Sequence, residues 1–166
     1  MIRRKRVLGL LFPALAAAAP ALTGCGRPAG GSAQSTTSTT ESHQSLAQRY
    51  TKLVADGDHR LQQLSRQLNS ANGNVVAIEL GFREVSSTYR GVATSVQHMR
   101  FPLSMRTDVA AMVVSLKNLA ADAAQGAHSV TLSEFNLVFS ELAAHQKIEV
   151  AANTKVNHDL GISSIS

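Results

Sequence analysis

The spacing of apolar residues between positions 78 and 99 is the strongest constraint on what this chain can fold into. Ile78, Phe82, Val85, Tyr89, Val92, Val96 and Met99 follow one another at alternating steps of four and three. A helix with 3.6 residues per turn places such a series on one face, whereas a strand would scatter it over both. The spacing predicts an amphipathic helix with one buried stripe. Its opposite face carries Glu79 and Arg83 at i,i+4, a pair that adds about 0.2–0.5 kcal/mol to an isolated helix.

Three further segments repeat the pattern. Leu46, Tyr50, Leu53, Gly57, Leu61, Leu64 and Leu68 form a first stripe, closed by the loop "NSANGN" with its Asn72-Gly73 turn signal. After "RFPLS", where Pro102 cannot continue a helix, Met105, Val109, Met112, Val113, Leu116, Leu119, Ala120 and Ala123 form the third, ended by Gly126. Thr131-x-x-Glu134 fits a capping box and opens the fourth. There Leu132, Phe135, Val138, Phe139 and Leu142 share a face, and the pattern runs on to Leu160 before Gly161. No segment alternates as a strand does. Four helices of roughly 20 to 28 residues joined by short loops predict an all-α, up-down-up-down four-helix bundle over residues 45–161, with 162–166 as a short tail. Gly57 and Gly81 lie on or beside the stripes, where small residues let backbones approach.

The chain opens differently. Arg3, Arg4, Lys5 and Arg6 precede an uncharged apolar run from Val7 to Leu22, interrupted by Pro13 and Pro20. A basic start, an apolar middle and small residues at the end predict a secretory signal peptide over residues 1–24. The run is shorter than the roughly 20 residues a permanent span needs. The only cysteine follows at once. Leu22-Thr23-Gly24-Cys25 resembles the lipobox of bacterial lipoproteins: an aliphatic residue, two small ones, then cysteine. The resemblance covers residues 3–25. It implies that Cys25 takes an S-diacylglyceryl group, that a peptidase cuts between Gly24 and Cys25, and that the freed amine is acylated. Two or three acyl chains anchor firmly, at about 0.8 kcal/mol per buried methylene. The lipid bilayer is thus the first expected partner, reached from the extracytoplasmic side.

Residues 25–44, "CGRPAGGSAQSTTSTTESHQ", hold no large apolar side chain. Such a segment cannot bury enough surface to offset its ordering entropy and reads as a flexible tether with a span on the order of 25 Å. Charge also changes with the leader. The chain has 16 Lys and Arg against 11 Asp and Glu. With the four basic residues at positions 3–6 removed, twelve face eleven, and nucleic-acid binding loses the basic patch it needs.

Candidate sites are few. On a helical wheel the Phe135–Phe139–Leu142 face continues through Gln146, Glu149, Asn153 and Asn157, polar residues where the other segments place Leu, Val or Met, while Val150, Val156 and Leu160 keep it partly apolar. Burying polar groups is costly without hydrogen-bond partners. Two readings are open: the four line up as a polar layer with the hydroxyls of Tyr50 or Tyr89, or the helix turns them into water. Glu141, His145 and Glu149, at i, i+4 and i+8, read as a solvated charged edge rather than as metal ligands, because the di-iron bundle pattern of Glu-x-x-His occurs nowhere. Asp56-Gly57-Asp58-His59 lacks the downstream residues of a calcium loop. His98, Met99 and Met105 are soft copper(I) ligands by type, but the two methionines also fit the core stripes. No cofactor motif is found, and neither is a Cys-x-x-Cys, His-Glu-x-x-His or Gly-x-Ser-x-Gly sequence.

These observations lead to one expectation and its alternatives. The chain reads as a lipid-anchored envelope lipoprotein whose bundle is a non-catalytic module for binding an envelope protein. A carrier of a small hydrophobic ligand, or a metal-binding protein, are the competing readings.

Overall fold

The first helix starts where a side chain can satisfy its free amides. Ser42 holds extended backbone angles and its hydroxyl accepts from the Ser45 N–H at 3.2 Å, which opens α1 over His43–Ser70. The structure, a computed structural model, describes residues 42–71 and 73–162. The expected signal peptide, Gly24, Cys25, the tether up to position 41 and the tail from 163 lie outside the described residues. α1 thus begins ahead of Leu46, where the apolar spacing starts.

Helix α2 spans Val75–His98 and is capped by Asn74, whose side chain accepts from the Ala77 N–H. A single 3-10 turn at Leu103–Met105 follows Pro102 and leads into α3, Arg106–Gly126. α4 runs over Leu132–Asp159 behind the expected capping box. There the Thr131 hydroxyl accepts from the Glu134 N–H at 3.2 Å, and the Glu134 carboxylate accepts from the Val130 and Thr131 N–H groups, both at 2.8 Å. Those backbone bonds, Val130's first, hold the Glu134 carboxyl below the ordinary carboxylate range. Gly161, at φ 68°, stands just past the end of α4 in the left-handed region where glycine is favoured.

The four helices pack as an up-down-up-down bundle, and no strand occurs among the described residues. Backbone contact is most extensive between α2 and α3, next between α3 and α4, and then between α1 and α2. The predicted stripes supply the core, including Leu46, Leu61, Phe82, Val85, Val96, Leu116 and Val138. Ser86 is buried with them and donates to the Ala120 carbonyl at 2.7 Å, a polar link between α2 and α3. Phe82 reaches across to α4, with its ring 6.1 Å from Phe135 and 5.5 Å from Phe139.

Gly126 does more than end a helix. It is the last residue of α3, and a Cβ there would sit 2.8 Å from the Phe82 ring. The aromatic cluster is seated on bare backbone. Val150 departs from expectation: it is 41 % exposed, because α4 turns it past the edge of the buried stripe.

Two glycine substitutions separate packing from helix propensity. Gly126→Ala forces Phe82 to move and is expected to destabilise by about 1–3 kcal/mol, less up to about 1 kcal/mol of regained propensity. Gly91 is exposed on α2 with nothing near its missing Cβ, so Gly91→Ala should stabilise by about 0.5–1 kcal/mol. Thermal unfolding followed by circular dichroism measures both.

Candidate functional site: a buried carboxyl group and its tyrosines

The polar residues of α4 divide into two sets. The line of deepest burial runs through Leu142, Glu149 and Val156, seven residues apart, with Ala152 and Asn153 beside it. Gln146 and Asn157 lie to one side of that line and are half-buried. Glu149 is 2 % exposed and Asn153 6 %. Among the six residues of the expected layer, the structure gathers Tyr50, Tyr89, Glu149 and Asn153 in the interior and leaves Gln146 and Asn157 at its margin.

Tyr50 of α1 joins this set across the bundle. Its hydroxyl donates to Asn153 Oδ1 at 2.6 Å, and the hydroxyl oxygen lies 2.9 Å from Met112 Sδ of α3. Phe101, in the turn after α2, packs edge-on against the Tyr50 ring at 6.0 Å. The hydroxyl of a fully buried tyrosine therefore links the first and last helices. Burial pushes the phenol pKa of Tyr50 well above its usual range, and the Glu149 charge adds to the effect. Tyr89 is raised for the same two reasons, in the same order, with Asp58 contributing as well.

Glu149 stands at the centre. Its Oε1 has no hydrogen-bond partner among the described residues. It lines a void of about 10 Å³ together with Gly57 and Leu61 of α1, Tyr89 and Val92 of α2, and Met112 and Leu116 of α3. All four helices thus contribute to one small space. Burial, and then the nearby Asp58 carboxylate, push the Glu149 pKa from 4.5 up to about 7.

Sequence reasoning missed one group and misplaced another. Asp58, which its neighbours exclude from a calcium loop and which the spacing assigns to no other role, is 8 % exposed. The signal was its position, four residues after Val54 and three before Leu61, on the same stripe. The Glu141–His145–Glu149 series is not a solvated edge. His145 Nδ1 meets Asp122 Oδ2 of α3 at 2.6 Å, Glu141 is half-buried and Glu149 points inward. Of the soft-ligand trio, Met105 is buried, Met99 half-buried and His98 exposed. Among the described residues, no three His, Cys, Asp or Glu side chains come together as metal ligands.

Compared with known proteins, the chain matches no family model, no curated protein and no solved structure. The residues themselves carry the functional reading.

The Tyr50–Asn153 bond gives a direct prediction. Tyr50→Phe leaves a buried amide oxygen without its donor and should cost about 1–3 kcal/mol. Adding Asn153→Leu removes the orphaned group, so the double variant should recover most of that loss. A double-mutant cycle in urea unfolding measures the coupling. Additive single effects would mean the two side chains do not interact.

Proposed function

We propose that this chain is a lipid-anchored lipoprotein of the extracytoplasmic membrane surface, and that its helical body is a non-catalytic module that binds an envelope partner through its surface. The anchor rests on the lipobox-like Leu22-Thr23-Gly24-Cys25 and the basic and apolar residues before it. No helix among the described residues is long and apolar enough to cross a membrane; in this reading the acyl chains on Cys25 provide the attachment.

The observation that carries the binding-module reading is the small size of the void that all four helices line. A site for a small hydrophobic ligand occupies roughly 300–1,000 Å³, whereas the central void measures about 10 Å³. The carrier reading would require the core to come apart. Surface recognition requires no such change. Val75, Val76, Leu80 and Val130 are 49–75 % exposed and belong to the end of the bundle opposite the start of α1. In an anchored molecule that end faces away from the bilayer.

Two measurements test the reading. Intact mass of the chain from its own host should show residues 1–24 removed and Cys25 carrying diacylglycerol, and Cys25→Ser should shift the protein out of the membrane fraction. An unmodified thiol in the native product would sink the anchor. Organic extraction of the purified protein should release no stoichiometric hydrophobic ligand beyond the anchor; recovery of one would support the carrier instead.

A further inference from the structure

We propose that Glu149 is a proton-binding site at the centre of the bundle: with the carboxyl group protonated the four helices close, and loss of the proton opens the seam between α1 and α4.

The geometry supplies each part. Glu149 is 2 % exposed, and its Oε1 lacks a partner. The void of about 10 Å³ beside it presents an apolar surface, which offers a water molecule none of the polar partners it needs. None of the lining residues carries a positive charge. An ionised Glu149 would therefore be a buried anion without a counter-ion, which costs several kcal/mol in real proteins.

The groups around it oppose ionisation. From α1 come Asp58, a buried like charge, and the Tyr50 hydroxyl, which is given to Asn153. α2 presents Tyr89, and α3 presents the apolar Met112 and Leu116. On α4 itself, His145 lies one turn before Glu149 and faces Asp122 of α3 at 2.6 Å. An anion at this point gains most by meeting water. The α1–α4 seam is the route of least resistance, since no loop joins those helices and their polar link, Tyr50 to Asn153, lies one turn of α4 from Glu149.

The sign follows from the shift. The carboxyl pKa is raised from 4.5 to about 7 in the closed bundle, so the closed state holds the proton more tightly than an open one. The stabilisation is complete below pH 4.5 and is lost as pH rises through about 7. Between pH 6 and 8 the closed-to-open ratio should fall about tenfold.

Hydrogen exchange of α1 amides in the full chain, corrected for intrinsic rate, reads this directly. Protection around residues 53–61 should drop about tenfold from pH 6 to pH 8. In Glu149→Gln, an uncharged isostere, protection should be the same at both values. Asp58→Asn removes the like charge and should move the midpoint to lower pH; this second variant decides if Glu149→Gln fails to fold. Carbon-13 titration of the Glu149 carboxyl gives the midpoint independently. Equal protection of the wild-type chain at both pH values, an undiminished drop in Glu149→Gln, an unmoved midpoint in Asp58→Asn, or a carboxyl midpoint below pH 5 would each overturn the proposal.

Discussion

Of the seams in this bundle, the one between α1 and α4 is the one that no loop enforces. The other neighbours are consecutive in sequence, so their connections hold them near each other at little entropic cost. The first and last helices must find each other through side chains alone. They do so through Tyr50, which reaches α4 at Asn153 and touches Met112 of α3 on the way. That contact is a polar link across the seam, and Glu149, Asp58 and Tyr89 stay shielded from water while α1 lies against its neighbours.

The fold was legible because its driving force is periodic. Apolar residues at steps of three and four place a stripe on each helix, and four stripes with short connections have one economical packing. Local signals agreed with it. Thr131 and Glu134 cap α4 reciprocally, as their spacing implies. The role of Gly126 was not legible, because its reason is an aromatic ring more than forty residues earlier in the chain. A close approach between distant segments leaves no trace in local spacing.

The interior polar group was legible in part. The wheel of α4 singled out Glu149 and Asn153, and the structure buries both. It grouped Gln146 and Asn157 with them because an ideal wheel has no fixed centre until neighbouring helices choose one. Packing against α1 and α3 set that centre on Glu149 and Val156. Asp58 escaped notice for a different reason. Beside Asp56, Gly57 and His59 it has the composition of a turn, and only its register with Val54 and Leu61 shows that it belongs to the inner face.

The position of Ser42 has a mechanical consequence. Its hydroxyl begins α1 about two turns ahead of Tyr50, at the end of the helix that adjoins the preceding chain. In a molecule held at Cys25 and gripped by a partner elsewhere on its body, tension enters through this first stretch of α1. The load meets Leu46 and, one turn later, the tyrosine–asparagine contact, so traction is borne from the outset by the same side chains that bury the start of α1.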